Sequence, residues 1–324
     1  MKKIKLVYAL SGFFLIIILF SCKKEEVIEY HDSVSHYELK KNIIQANTTN
    51  LAAGFQSVFS VIESDSAESA QLCQAFIEPI RYFDDDTGYF FLESYDAWMV
   101  AHAVKPELIG ELRINIQDIY GKYYVQEMVR AIKYSGYGFL EYYFENPATQ
   151  NIERKIAFVK NIPEVEFFIG SGFYDYSEDT YYDKIDADKQ MLVELTGSVA
   201  QGIGGVFENI YTDSLERVEF CRQFIDHIRF FDDQCGYFFM YDFDCVNVAH
   251  GVQKNLQGQD LTDYQDPVGN YVIQGLLEVV QNDNDGYYEY YWNNPVSSKQ
   301  EKKLAYVIRI PGTTYYIGSG IYLE

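Results

Sequence analysis

The sequence predicts an α+β protein built from two tandem copies of one unit, and three observations carry that prediction. Residues 73–174 align with 221–322 at a constant offset of 148, without an insertion, and 41 of those 102 positions are identical. Self-similarity on that scale marks a duplicated structural unit. Within each copy the apolar spacing changes from a three-to-four period to short aromatic and β-branched runs, which is helices followed by strands. The length that remains after an N-terminal leader, about 300 residues, suits about two domains.

Each unit opens with a helical pattern: Ile44, Leu51, Phe55, Val58 and Ile62 in the first, Leu192, Leu195, Val199, Ile203, Val206 and Ile210 in the second. A second helix starts at Asp65 or Asp213, each followed three residues later by a glutamate (Glu68, Glu216), the arrangement of a capping box. It presents Leu72, Phe76 and Ile80, or Phe220, Phe224 and Ile228. After Gly88 and Gly236 come two strands, then a helix near 122–134 or 267–281. Three strands near 137–144, 154–161 and 166–173, and their counterparts 148 residues on, complete the unit. The boundary falls in the acidic, tyrosine-rich stretch 175–188, giving units over 33–176 and 181–324. Each is of ordinary domain size and is expected to close its own core.

The N-terminus has the layout of a secretory signal: Lys2, Lys3 and Lys5, an apolar run from Leu6 to Phe20, and Ser21 before Cys22. Fifteen apolar residues are short of the roughly 20 that span a bilayer. Leu19-Phe20-Ser21-Cys22 resembles a lipobox, so residues 1–21 are expected to be removed, Cys22 lipidated, and 22–32 to form a tether. Lys23-Lys24-Glu25-Glu26 resembles the export tag of some Bacteroidota-type lipoproteins, which implies an outer-membrane lipoprotein exposed at the cell surface. An uncleaved anchor would equally hold the globular part outside the cytoplasm.

Without the leader's three lysines, 23 basic residues face 48 acidic ones, a formal charge of −25. Such a surface repels nucleic acid, which excludes that class of partner. Thirty tyrosines point to extended sheet surface or aromatic-lined pockets. Cys73, Cys221, Cys235 and Cys245 remain after Cys22; an oxidising compartment permits disulfides, but Cys73 and Cys221 occupy matching apolar helical positions and read as buried thiols. No spacing of His and Cys suggests a metal site, and no cofactor is implied.

The repeated segments Ile228-Arg229-Phe230-Phe231, Gly236-Tyr237-Phe238-Phe239-Met240-Tyr241-Asp242, Val248-Ala249-His250, Tyr290-Tyr291-Trp292-Asn293-Asn294-Pro295, Lys303-Leu304-Ala305-Tyr306-Val307 and Ile317-Gly318-Ser319-Gly320-Ile321-Tyr322 resemble, in order and spacing, the bacterial Cache sensory domains of the single-Cache type. The resemblance covers nearly the whole chain after the leader. It implies two tandem PAS-like modules, each a long N-terminal helix packed on a curved antiparallel sheet that holds a small molecule. Members usually feed a membrane helix into a signalling module, whereas this sequence stops at Glu324 after the last strand, so binding without an output domain of its own is expected. An envelope signalling or transport protein would then read the bound state. Two departures concern loops: Ala103 and Gly251 follow the histidines where the family often has proline, and the hairpin turns read Asp96-Ala97 and Asp244-Cys245 in place of Asp-Gly.

Basic residues are scarce, yet Arg81 and Arg229, His102 and His250, and Lys155 and Lys303 recur among apolar neighbours. An arginine fork with a lysine or histidine holds a carboxylate, Tyr89 and Tyr237 add hydroxyl donors, and Tyr143, Phe144, Tyr291 and Trp292 offer aromatic walls. The expected ligand is a small carboxylate or other polar metabolite. The second unit, with Trp292 and Tyr306, keeps more of the family's set and is expected to hold the better pocket. Arg81 beside Asp84 and Asp85, and Arg229 beside Asp232 and Asp233, read equally well as helix-end ion pairs. Duplication also copies scaffold.

Two other classes compete. An enzyme lacks support: Gly202-Ile203-Gly204-Gly205 lies in a helical pattern and reads as a close-packing face, and Glu141 and Glu289 have no partner that marks them as bases. A structural or protein-binding surface lipoprotein fits the anchor and the acidic, tyrosine-rich surface.

Overall fold

A computed structural model describes residues 33–62, 65–174 and 180–323; the leader, Cys22 and the tether lie outside the described residues. The first copy runs β1 (Val34–Ser35), α1 (His36–Phe59), α2 (Ser66–Ile77), β2 (Phe90–Ser94), β3 (Met99–His102), α3 (Tyr124–Ser135), β4 (Tyr137–Glu145), β5 (Ile152–Ile162) and β6 (Phe167–Phe173). The second repeats it as β7 (Tyr181–Tyr182), α4 (Lys184–Asn209), α5 (Ser214–Asp226), β8 (Phe239–Asp242), β9 (Asn247–His250), α6 (Val272–Asp283), β10 (Asp285–Asn293), β11 (Gln300–Arg309) and β12 (Tyr315–Tyr322). Among the described residues no helix is long and apolar enough to cross a membrane.

Local signals fix the helix ends. Asp65 accepts from the amides of Ala67 and Glu68 while Glu68 reaches back to the Asp65 amide, completing the capping box. Asp213 caps α5 through the amides of Leu215 and Glu216. Helices α3 and α6 stop at Gly136 and Asn284, both left-handed, which turns the chain straight into the next strand. The hairpin turns that lack Asp-Gly keep its geometry nonetheless: Ala97 and Cys245 take positive φ (66° and 62°), a conformation glycine adopts more easily.

Each copy holds a five-stranded antiparallel sheet, ordered β3-β2-β6-β5-β4 and β9-β8-β12-β11-β10. Alternation along the strands gives each sheet two apolar faces. In β5, Ile156 and Phe158 pack toward the long helices, whereas Ala157 and Val159 pack toward α3. In β11, Leu304 and Tyr306 take the helix side, and Ala305 and Val307 the α6 side.

The helix-side core corrects one expectation, because the two copies share it. Phe76 and Phe224 stack at 4.6 Å between ring centroids, and Phe55 meets Phe224 edge-on at 5.7 Å. The contact is reciprocal: the Phe224 ring lies over Gly54 and the Phe76 ring over Gly202, equivalent positions 148 apart, so a side chain at either glycine would collide with the ring. Gly205 likewise comes against the Ala75 carbonyl, which makes the glycine run of α4 a close-packing face as read from the sequence. Asn47 donates to Ser198 across the same junction at 2.8 Å, and β1 pairs with β7. Val34–Glu324 therefore forms one compact unit. The long helices are apolar on too much of their surface for one sheet to cover, so each copy buries the other's remainder.

Candidate functional site

On the face away from the long helices, each sheet, its β3–α3 or β9–α6 loop and helix α3 or α6 enclose a small interior. The repeated Gly-Ser-Gly of the last strand shapes it. A side chain at Gly172 would strike the Ile156 carbonyl and the stem of Lys155, and one at Gly320 the Leu304 carbonyl and the stem of Lys303; the glycines let each lysine lie flat across the sheet. Gly170 and Gly318 do the same for the rings of Phe91 and Phe239. Between them Ser171 and Ser319 donate to the carbonyls of Tyr89 and Tyr237 at 2.6 and 2.7 Å, tying the last strand to the approach to β2 or β8.

Lys155 and Lys303 are completely buried, and their Nζ atoms have no hydrogen-bond partner among the described residues. Each lies over a tyrosine ring, Tyr89 at 3.8 Å and Tyr237 at 4.0 Å from the centroid. Burial holds Lys155 well below the usual lysine value and brings Lys303 down to about 7. The tyrosine hydroxyls point elsewhere: Tyr89 reaches Tyr174, whose own hydroxyl donates to the Glu145 carbonyl, and Tyr237 and Tyr322 repeat the relay to Asn293.

His102 and His250 accept two amides each on Nδ1, from Val104 and Lys105 and from Val252 and Gln253. Burial, reinforced by the nearby lysine, lowers their pKa to about 2 and about 3. They are neutral imidazoles with the proton on Nε2, fixing the turn after β3 or β9 and stacking on Phe144 and Trp292 at 6.2 Å.

Other sequence-predicted residues are placed differently. Arg81 spends its fork on the main-chain carbonyls of Glu78, Ile80 and Ala103, and Arg229 on those of Asp226, Ile228 and Gly251, at 2.6–3.1 Å. Neither helix-end ion pairing nor a free ligand fork describes them; they staple the end of the second helix to the loop after the histidine. Tyr306 faces the long helices and donates to Asp285, opposite to Lys303, because the two are an odd number of residues apart on one strand. The same parity turns Tyr143 and Tyr291 out of the interior; Tyr143 meets exposed Tyr120 edge-on, and Tyr142 and Tyr290 take the inward positions. The second copy thus gathers Tyr237, His250, Trp292 and Lys303, without Arg229, Tyr291 or Tyr306. The first gathers Tyr89, His102, Phe144 and Lys155, without Arg81 or Tyr143.

The first interior also contains a pair absent from the repeat. Glu93 and Arg113 line it with Tyr89, Phe91, Met99, His102, Tyr124, Met128, Tyr142 and Phe144, around a space of about 10 Å³. That is room for about one water. Arg113 donates to the Tyr124 hydroxyl at 2.6 Å, faces Glu93 at 3.7 Å and pairs with the half-exposed Glu111 at 3.5 Å. Burial raises the Glu93 pKa to about 8, with Arg113 opposing it. Glu93 Oε2 and Arg113 Nε have no hydrogen-bond partner among the described residues. The equivalent positions in the second copy are Tyr241, Leu261, Asn247 and Val272 for Glu93, Arg113, Met99 and Tyr124, and its interior is packed with Tyr241, Leu261, Leu276, Tyr290 and Trp292.

A sheet flanked on one face by long paired helices and on the other by a loop and short helix that close over a small, partly charged interior defines a sensory ligand-binding module. A family model described as Cache domain, dCache_2, matches residues 23–324, and the chain belongs to that family. Cache domains are extracytoplasmic modules that bind small ligands. The sensor histidine kinase MctS of Rhizobium johnstonii is 33% identical over 89 residues, 28% of this chain and 19% of that protein. The methyl-accepting chemotaxis protein McpP of Pseudomonas putida is 27% identical over 92 residues, 28% of this chain and 17% of that protein. The chain thus spans under a fifth of either curated relative. Among solved structures, a Cache chemosensory domain studied for carboxylic acid recognition is 25% identical, covers 44% of this chain and 100% of its own, and gives a TM-score of 0.37.

Proposed function

We propose that this protein is an extracytoplasmic, sensor-type lipoprotein anchored through Cys22, whose first module binds a small carboxylate between Lys155 and Arg113. The observation that carries this reading is a pair of buried donors with incomplete hydrogen bonding: Arg113, which lines the first interior, and Lys155, whose Nζ lies against the lining rings of Tyr89, Phe91 and Phe144. A buried donor atom left without an acceptor is costly, and an arriving carboxylate supplies acceptors to both Lys155 Nζ and Arg113 Nε. Met99 and Met128 are the adaptable part of the wall: unbranched thioethers shift more easily than rings to widen a space of about 10 Å³. This moves the favoured pocket from the second module to the first, because Leu261 and Tyr241 give the second no equivalent of Arg113 and Glu93. A partner in the envelope reads the bound state, and no catalysis is required.

Isothermal titration of the full chain with short mono- and dicarboxylates tests the reading. Binding that is lost in Lys155→Met and Arg113→Leu and retained in Lys303→Met supports it. Absence of binding, or binding indifferent to the first two substitutions, overturns it. A second reading, protein docking, draws on one observation: the β3–α3 loop exposes Leu112, Ile119 and Tyr120, and its Leu112 is bridged to exposed Trp98 of the β2–β3 turn.

A further inference from the structure

We infer that the second copy completes the first: Glu194 and Gln201 of its long helix α4 position the walls of the first module's interior, and no equivalent grip runs from the first copy to the second. The inference concerns how that interior is held and stands apart from what it holds. Gln201 brackets the main chain of Arg81, accepting its amide at 2.9 Å and donating to its carbonyl at 3.2 Å. Glu194, seven residues earlier on the same face of α4, accepts the amide of Phe83 at 3.2 Å. Phe83 has a φ of 65°, a left-handed conformation that is unfavourable for a bulky residue, and the bond from α4 helps to hold it there.

The segment 81–83 reaches the interior by two routes. Arg81 holds the Ala103 carbonyl at 2.8 Å through its fork, next to His102, whose Nδ1 fixes the turn after β3. Tyr82 bridges to Gly88 and bonds the Ser171 hydroxyl, which in turn donates to the Tyr89 carbonyl; the Tyr89 ring lies beneath Lys155 Nζ. The symmetry mate of this grip is missing. Helix α1 carries Ala46 and Ala53 where α4 has Glu194 and Gln201, and a methyl group offers neither donor nor acceptor to Arg229 or Phe231, although Phe231 takes the same turn with a φ of 64°. The approach differs as well: Gly205 brings α4 against the Ala75 carbonyl and the Pro79 ring just before Arg81, whereas α1 has Ser57 at that position. The copy whose interior is packed with side chains is thus the one that grips, and the copy with the polar interior is the one that is gripped. By linkage, whatever changes the first interior changes the seating of α4 by the same free energy, which makes the second copy the regulatory half of the chain.

Hydrogen exchange of the full chain, followed by mass spectrometry, tests this at the turns after the two histidines, 102–106 and 250–254. Gln201→Ala and Glu194→Ala are each expected to speed exchange in 102–106 by about 10-fold or more and to leave 250–254 within about twofold of wild type. Glu194→Gln, which keeps an acceptor for the Phe83 amide, is expected to stay at the wild-type rate. Ser198→Ala removes a different bond between the copies, the one from Asn47, and is expected to leave the ratio of the two turns unchanged. Equal acceleration of both turns, no acceleration of 102–106, a Glu194→Gln rate matching that of Glu194→Ala, or selective acceleration of 102–106 in Ser198→Ala overturns the inference. Should one alanine variant fail to fold, the other decides.

Discussion

Lys303→Met is expected to stabilise the protein, and by an amount that depends on pH. The side chain is completely buried with no hydrogen-bond partner among the described residues, and burial lowers its pKa from 10.5 to about 7. Between those values the unfolded chain holds a proton that the folded chain has released, so stability rises with pH across pH 7 to 10.5 and the cost is largest at and below 7. At about 1.4 kcal/mol per pH unit, the gap amounts to roughly 5 kcal/mol. The Tyr237 ring, 4.0 Å from Nζ, returns about 2 kcal/mol as a desolvated cation–π contact. Methionine keeps the unbranched stem that Gly320 makes room for and carries no charge. The variant should therefore gain about 2–3 kcal/mol at pH 6–7, and the gain should shrink steadily toward pH 9. Urea unfolding of both proteins at pH 6, 7, 8 and 9, followed by far-UV circular dichroism, measures the difference while titrations common to both cancel. A variant less stable than wild type at pH 6, or a difference constant from pH 6 to 9, would refute the reasoning.

Three further outcomes follow from the same geometry. Arg113→Leu, which installs the residue of the second copy, should cost roughly 3 kcal/mol by leaving Glu93 buried alone, and adding Glu93→Leu should recover most of it; a double-mutant cycle in urea with no coupling would contradict the pairing. Gly172→Ala, whose new methyl would meet the Ile156 carbonyl and the Lys155 stem, should cost at least about 2 kcal/mol, whereas Gly197→Ala, in open space within α4, should add about 1 kcal/mol; thermal melts that rank the two the other way would show the strand packing is misjudged. Arg229→Ala should lose about 2–3 kcal/mol of stability with its carbonyl staple and leave carboxylate affinity unchanged; calorimetry showing a loss of affinity in a folded variant would return Arg229 to the binding set.

How far the sequence reached depended on the kind of signal. The duplication, the helix and strand order, the caps at Asp65 and Asp213 and the α+β class were legible because each is local: apolar spacing, side chain to nearby amide, or identity at a fixed offset. Lys155 and Lys303 were found because they recur. Recurrence carries no trace of Glu93 and Arg113, whose significance lies in not recurring; their one signal in the sequence is a scarce basic residue standing where the other copy has leucine. Tyr306, Tyr143 and Tyr291 were placed in pockets because a motif match assigns neighbours without assigning faces, and strand parity then turned each of them the other way.

By itself, then, the sequence determined which segments become helix and strand and that the pattern is written twice. Only the tertiary structure decided that the copies interlock through Phe76 and Phe224 over Gly202 and Gly54, that the arginines bind main chain, and that the two interiors differ in charge. The physical reason is range. Secondary structure and caps are set within a few residues along the chain. A pocket's polarity is set by side chains tens of residues apart, whose burial exists only once the sheet has closed.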